Sequence, residues 1–371
     1  MTAFTARRAL PRSWAVDFRG AAPAWVQARI YVLSAYIVTK AIINRLEPPP
    51  AFSPVNDGLF AWDGTWYRMI AEHGYHDSAD PALRFFPLWP LLGRFGSWLT
   101  AGSVDAALIV GANLAALAAA VLIHRMVRQD TGDAQLARRS ATLLSLVPPA
   151  FVLVLAYSEP LFIALAVATV FTARRRRWSA TITLAFAAGL TRPVAGMLAL
   201  PVAVNAWSNG TGPRGRKLAA VLAAPAGSLA YLIWAGSALG DWTAPIDRQR
   251  ELRGGFHEPI SRMFVSADRA IGGDAGELFH LLAALILIGL TVVVVRKLAL
   301  DLALYTVPSV ALLLAADNLN SMERYSLAIF PLVIAAAMVS RHRWFDHWFT
   351  AASAVGLAAL CMLALNGVYV P

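Results

Sequence analysis

Phe279-His280-Leu281-Leu282-Ala283-Ala284-Leu285-Ile286-Leu287-Ile288-Gly289-Leu290-Thr291-Val292-Val293-Val294-Val295, closed by Arg296-Lys297, sets the class of this protein. About 20 apolar residues cross a bilayer as a helix, and lipid offers the backbone no hydrogen-bond partner, so such a run reads as a membrane span. The pattern repeats in both directions, giving eleven candidate spans near 29–46, 103–124, 139–156, 159–173, 178–192, 194–208, 218–238, 279–295, 298–316, 325–340 and 347–367. Strands of a membrane barrel would alternate apolar and polar residues, and these runs do not. The 371 residues are 58% hydrophobic and 15% charged, with a mean hydropathy of +0.57, more apolar surface than a soluble fold hides. The expectation is an all-α polytopic membrane protein with about eleven transmembrane helices in one domain, 1–371, and two large outer loops at about 47–102 and 239–278. The pairs 139–156 with 159–173 and 178–192 with 194–208 read as close hairpins of short spans. The stretch 85–101, broken by Pro87, Pro90, Gly93, Arg94 and Gly96, reads as a re-entrant or interfacial helix.

Charge orients the chain, because positive residues are retained on the cytoplasmic side of short loops. An amino terminus inside puts Arg7, Arg8, Arg12, Arg19, Arg29, Arg125, Arg128, Arg138, Arg139, the run Arg174 to Arg177, Arg214, Arg216, Lys217, Arg296, Lys297, Arg341 and Arg343 in the cytoplasm, which is 20 of the 32 basic residues. The outer side collects 17 of the 22 acidic ones, so the net charge of +10 is a topology signal and not a nucleic-acid footprint. The basic amino end could also touch anionic lipid. Residues 1–28 are too polar for a cleavable signal peptide. The lone Cys361 allows no internal disulfide, and its apolar neighbours make it a packing residue.

The outer loops hold most of the outward carboxylates. In the first, Trp62-Asp63-Gly64-Thr65-Trp66-Tyr67 opens an aromatic-rich block that continues through Ile70-Ala71-Glu72-His73-Gly74-Tyr75 to Phe85-Phe86-Pro87-Leu88. The spacing puts Trp62, Trp66, Met69 and Ile70 on one helical face, suited to a helix lying in the interface with Asp63 and Arg68 reaching water. An aromatic belt with Asp63 as a helix-terminal residue fits the same spacing. Three further polar points fall at outer span ends: Tyr157-Ser158-Glu159-Pro160, Thr191-Arg192-Pro193 and Met322-Glu323-Arg324-Tyr325. Charge inside a membrane is costly, so such residues sit at an edge, pair with one another or line a polar cavity. Turn chemistry and snorkelling account for each singly; four such points on one face favour a shared outward cavity. Glu72, His73, Asp77 and Asp80 are further candidates, equally readable as solvent-facing residues. In the second loop, Asp247 to Arg253 mixes charge signs as a solvated surface helix does.

Trp62-Asp63 with Tyr67, Ile70-Ala71, Gly74-Tyr75 and Phe85-Phe86-Pro87-Leu88 resembles the signature of the PIG-V family, the second mannosyltransferase of GPI-anchor assembly, and of its bacterial relatives. Tyr157-Ser158-Glu159-Pro160-Leu161-Phe162, Thr191-Arg192-Pro193 and Arg324-Tyr325 with Phe330-Pro331-Leu332 follow in the family's order. The resemblance covers about 60 to 335, with its strong motifs in the first two hundred residues. It implies a glycosyltransferase of the multipass GT-C fold that takes its sugar from a polyprenyl phosphate and needs no metal or cofactor. It also implies that Asp63, the acidic residue of the first outer loop, is the catalytic base. Transfer needs a cation near the donor phosphate, and Arg192 and Arg324 are the candidates, since a guanidinium grips phosphate with two parallel hydrogen bonds. Trp62, Trp66 and Tyr67 would border the sugar; Glu72, His73, Tyr157, Glu159 and Tyr325 complete the candidate substrate-binding set. The chain departs from the eukaryotic pattern over His76 to Arg84 and at Pro193-Val194, which puts a GPI intermediate as acceptor in question. Its Ala and Arg usage looks bacterial, where a glycolipid such as a phosphatidylinositol mannoside fits better.

The expected function is therefore mannose transfer from polyprenyl-phosphate-mannose to a lipid-linked glycan on the outer face of the inner membrane, with the polyprenyl chain in apolar grooves between spans. The rival is a multipass transporter or lipid flippase; those show repeat halves and broken helices near the midplane, and no repeat is visible here. A structural membrane subunit, with Asp63 and Arg324 serving assembly, is the third reading.

Overall fold

The computed structural model describes residues 13–46, 53–76, 80–208, 212–317, 319–340 and 343–371. Arg7, Arg8, Arg12, Asp77 and Arg341, named above, lie outside them. The described chain is built from helices, with a single isolated antiparallel bridge between Phe256 and Ala316 among the described residues. The long α1 (Trp14–Ile43) leads into the first loop, where a 3-10 turn (Pro54–Phe60), α2 (Asp63–His73), a second 3-10 turn (Asp80–Arg84) and α3 (Leu88–Gly96) follow in order. Then come α4 (Val104–Thr131), α5 (Ala134–Leu146), α6 (Glu159–Arg174), α7 (Trp178–Gly189), α8 (Ala199–Trp207) and α9 (Arg214–Leu239). The second loop carries α10 (Ala244–Arg253) and α11 (Pro259–Ile271), and the chain finishes with α12 (Ala275–Lys297), α13 (Leu300–Leu314), α14 (Met322–Ser326), α15 (Pro331–Val339) and α16 (Arg343–Leu365).

Among the described residues, five helices are long and apolar enough to cross a membrane: α1, α4, α9, α12 and the Asp346–Leu365 part of α16. The segments Trp178–Gly189, Pro193–Trp207 and Leu300–Leu314 are apolar but shorter. The stretch read as a span at 139–156 is split between α5 and a 3-10 turn (Pro148–Leu153), because Pro148 and Pro149 cannot supply the backbone N–H that a continuing helix needs. The one at 325–340 is divided in the same way between α14 and α15, with Pro331 opening the second piece. The first span begins at Trp14 rather than near 29, so Arg29 lies in the middle of α1 and not in a cytoplasmic loop. What makes this tolerable is pairing: Arg29 donates to Asn113 Oδ1 (2.8 Å) and to the Leu153 carbonyl (3.1 Å), which gives its charge polar partners inside the bundle. Nearer the start of α1, Asp17 is fully buried against His124, Arg125 and Arg128 of α4.

Local chemistry sets the helix ends. Ser103 Oγ caps α4 by accepting from the Ala106 N–H, and Asp133 caps α5 by accepting from Gln135 and Leu136. Between them Gly132, at φ 70°, closes α4 in the left-handed conformation and lets the chain reverse at once. Helices α7 and α9 press backbone to backbone. A Cβ on Gly189 would stand 2.2 Å from the Ala224 carbonyl oxygen, and one on Gly227 2.2 Å from that of Phe186. Small residues at such a crossing are how helices without a hydrophobic driving force between them associate in lipid. The core runs through Phe151, Phe162, Tyr305 and Phe330, while Leu282, Leu285, Ile286, Val292 and Val295 of α12 face outward. A second apolar cluster of Phe60, Tyr67, Ile70, Phe85, Trp89 and Leu108 anchors the first loop onto α4.

Candidate active site

Asp63 opens α2 directly after Trp62, whose φ of 62° and ψ of −119° lie where side-chain-bearing residues seldom go. Such a backbone costs on the order of 1–3 kcal/mol and persists where its surroundings over-determine it. Here the Trp62 indole N–H donates to the Ala364 carbonyl (2.8 Å), Tyr157 OH donates to the Ala61 carbonyl (3.1 Å), and the Asp63 N–H donates to Tyr157 Oη (3.3 Å). Thr65 Oγ1 donates back to the Phe60 carbonyl (2.9 Å). The carboxylate is thereby fixed at the positive end of the α2 dipole. The buried residues of α2 are Gly64, Tyr67, Ile70 and Ala71, while Trp62, Trp66 and Met69, read with Ile70 as a face lying in the interface, are half-buried. Burying Tyr67 turns Asp63 toward protein, and Arg68 is drawn to Asp105 (3.7 Å) over the Phe60 ring.

Five charged side chains form one continuous chain of ion pairs. Arg84 Nη2 lies 3.7 Å from Asp63 Oδ1, and Arg324 Nη1 lies 2.7 Å from Asp63 Oδ2. Arg324 Nε is 3.1 Å from Glu159 Oε1, which is also 2.8 Å from Arg192 Nη1. Three guanidiniums against two carboxylates leave a formal charge of +1. The depth is graded: Glu159 and Arg324 side chains are 1% and 2% exposed, whereas Arg192, Arg84 and Asp63 are 13%, 16% and 18% exposed. Arg324 also donates to Tyr325 Oη (2.8 Å), and both Arg324 and Arg192 lie over the Tyr325 ring, at 4.6 and 5.1 Å. Arg192 donates to Ser158 Oγ (3.3 Å), itself hydrogen-bonded to Tyr67 Oη (2.6 Å). Arg324 is held because its helix is pinned on both sides. Ser321 turns into α14 at φ 63°, and the neighbouring Glu323 binds His280 Nδ1 (2.8 Å) and accepts from Tyr369 OH (3.1 Å).

The fold thus brings together Asp63, Tyr67, Tyr157, Glu159, Arg192, Arg324 and Tyr325. Trp62 adjoins them through its backbone. Trp66 stacks on Phe85 (6.1 Å), with Arg84 over both rings, at the more open side. Glu72 and His73 are not brought in: they are exposed at the other end of α2, about 14–15 Å along the axis from Asp63 at 1.5 Å per residue. Asp80 instead pairs with Arg248 of α10 (3.0 Å), tying the two outer loops together. Sequence reasoning missed Arg84 and Ser158. The signal for Arg84 was its place immediately before Phe85-Phe86-Pro87; Ser158 lay inside a motif already singled out. Among the described residues, no group of three or more His, Cys, Asp or Glu side chains is arranged to hold a metal.

Two crystal structures of the Archaeoglobus fulgidus oligosaccharyltransferase are similar to this chain, one in complex with zinc and sulfate and one tethered to an acceptor peptide by a disulfide. Identities are 12% and 13%, TM-scores 0.39 and 0.42, and each covers 93% of this chain. The chain spans about half the length of those proteins, 52% and 56%. No curated protein matches it. Residues 51–205, which hold Asp63, Arg84, Tyr157, Glu159 and Arg192, match the model of the Mannosyltransferase (PIG-V) family.

Proposed function

We propose that this protein is a membrane mannosyltransferase that moves mannose from a polyprenyl-phosphate-mannose donor to a lipid-linked glycan, with Asp63 as general base. The observation that carries the reading is the Asp63 carboxylate, which lies within the segment that matches the family, is fixed at the start of α2, is partly open to solvent, and is paired with Arg84 and Arg324 and linked through Arg324 and Glu159 to Arg192. In the reaction the acceptor hydroxyl oxygen bonds to the anomeric carbon, its proton passes to Asp63, and the bond from that carbon to the donor phosphate oxygen breaks with inversion. The leaving polyprenyl phosphate carries away the electron pair. A guanidinium cluster of net charge +1 is matched to a phosphodiester of charge −1. Arg84 and Arg192, the more open of the three, are the first to meet it, and Arg324 turns from Asp63 to the phosphate as the base takes up its proton. Trp66 and the Phe85 ring offer an apolar wall for the sugar. A glycolipid of the phosphatidylinositol mannoside kind is the proposed acceptor. The amino terminus is assigned to the cytoplasm and the site to the outer face, a reading supported by the excess of arginine at the opposite loop ends.

The test is transfer of radiolabelled mannose from polyprenyl-phosphate-mannose to extracted lipid acceptors by purified wild type and Asp63→Asn. General base catalysis is worth about 10²–10⁴-fold, so a folded variant is expected to lose at least that much. Equal activity in the two proteins removes Asp63 from the mechanism, and no transfer by either removes this donor.

A further inference from the structure

Helix α6 carries Glu159 at its first turn and ends at Arg174, about 22 Å further along its axis at 1.5 Å per residue. At that far end, away from Asp63, lies a cavity of about 400 Å³, lined by Arg125, Gln129, Arg175 and Arg177. Its size falls within the range of about 300–1,000 Å³ usual for small-ligand sites. The lining holds three guanidiniums and no carboxylate. Nearby carboxylates are already committed. Asp17 binds His124 (2.9 Å), Arg125 (2.8 Å) and Arg128 (2.8 Å); Asp130 and Asp301 both bind Arg174, and Asp301 also accepts from Asn205 (2.8 Å). Among the described residues, no carboxylate lies within ion-pair distance of Arg175 or Arg177.

The cavity is built. Arg125 is 8% exposed and is fixed by Asp17 and by the Trp14 ring, 3.8 Å from its guanidinium carbon. Arg175 lies over the Phe171 ring (3.3 Å), donates to the Phe171 carbonyl (3.0 Å) and donates to the Gln129 side chain. Arg176 takes φ 56°, which reverses the chain between α6 and α7 within a few residues and sets Arg175 and Arg177 on one cavity wall. Desolvation at that wall, aided by the charges of Arg125, Arg177 and Arg174, holds the Arg175 guanidinium below the usual arginine range against the pull of Asp130. Arg125 and Arg175 are held in place, Arg175 and Arg177 are exposed to solvent, and an anion would relieve the three like charges.

We propose that this cavity binds a phosphate group, carried by an anionic lipid headgroup or free in solution. Guanidiniums held by neighbouring side chains lose little freedom on taking phosphate in paired hydrogen bonds, and Gln129 adds an amide for its remaining oxygens. The competing account is that these arginines only mark a loop end as cytoplasmic, and the experiment separates the two by comparing equal charge losses at different places. Delipidated full-length protein is titrated by thermophoresis with inorganic phosphate, dihexanoyl phosphatidic acid and dihexanoyl phosphatidylcholine. The proteins compared are wild type, Arg175→Gln/Arg177→Gln, and Arg214→Gln/Arg216→Gln, the last altering exposed arginines of α9 outside the cavity. Saturable binding of phosphatidic acid or phosphate by wild type is expected. It should be about 10-fold weaker or more in the cavity variant and within about 2-fold of wild type in the α9 variant. Saturation by inorganic phosphate identifies a free anion as sufficient, whereas saturation by phosphatidic acid alone identifies the lipid headgroup. Absence of saturable binding to wild type, an unchanged affinity in the cavity variant, or an equal loss in both variants overturns the proposal.

Discussion

Glu159→Gln deletes one charge at the centre of the ion-pair chain and leaves the side-chain shape almost unchanged. Glu159 is 1% exposed and one of its oxygens meets both Arg192 (2.8 Å) and Arg324 (3.1 Å). The substitution raises the local formal charge from +1 to +2 and takes from Arg192 its sole ion-pair partner among the described residues. Removing one member of a buried ion pair costs about 3–5 kcal/mol, because the partner stays desolvated and uncompensated. An unfolding entropy of about 2.1 cal/mol/K per residue over 371 residues is roughly 0.8 kcal/mol/K, so Tm should fall by about 4–6 °C. The assay is thermal unfolding of the purified protein in one detergent, followed by intrinsic fluorescence. Glu159→Gln/Arg192→Gln removes both charges and should recover part of the loss, a coupling that a double-mutant cycle reads directly. A Glu159→Gln Tm within about 1 °C of wild type, or a double variant whose losses simply add, would refute the reasoning.

Arg324→Lys keeps the charge but gives up the fork that joins Asp63 to Glu159; one charge-assisted contact is worth about 1.5–3 kcal/mol, so kcat/KM for mannose transfer should drop about 10–100-fold. A change under 2-fold in steady-state kinetics would show that bridging is dispensable. Trp62→Phe retains an aromatic ring and deletes the N–H that reaches the Ala364 carbonyl, which should cost about 0.5–1.5 kcal/mol in thermal or denaturant unfolding. No loss would mean that this bond does not hold the strained turn. Gly227→Ala drives a methyl into the Phe186 carbonyl and should destabilise by at least about 1–3 kcal/mol; an unaltered melting curve would separate α7 from α9.

Much of the fold could be read along the chain. The runs that became α4, α9, α12 and α16 were legible because a bilayer imposes its requirement locally: enough consecutive apolar residues, with every backbone group paired inside the segment. Pro87, Pro90 and the glycines around them likewise announced the short α3 of the first loop. The start of α1 was not legible. Asp17 and Arg29 look like loop residues until their partners His124, Arg125, Arg128 and Asn113 are known, and those lie on another helix. The breaks after Leu146 and Ser326 were blurred for a related reason, since hydropathy does not distinguish a continuous helix from two apolar pieces joined by a turn.

At the candidate site, residue types in order along the chain sufficed to single out Asp63, Tyr157, Glu159, Arg192 and Arg324, because membrane segments carry few charges and each stands out against an apolar background. Their partnerships had to await folding. Arg324 meets Asp63 and Glu159 across 261 and 165 residues of sequence, and Arg84 reaches Asp63 only because the first loop doubles back over α2. The same doubling leaves Glu72 and His73 at the exposed end of their helix, although in sequence they are nearer to Asp63 than Arg84 is. Composition and run length are sums over neighbouring residues, so they survive in the linear chain. An ion pair depends on the separation of two side chains in space, and that separation is set by which helices pack together.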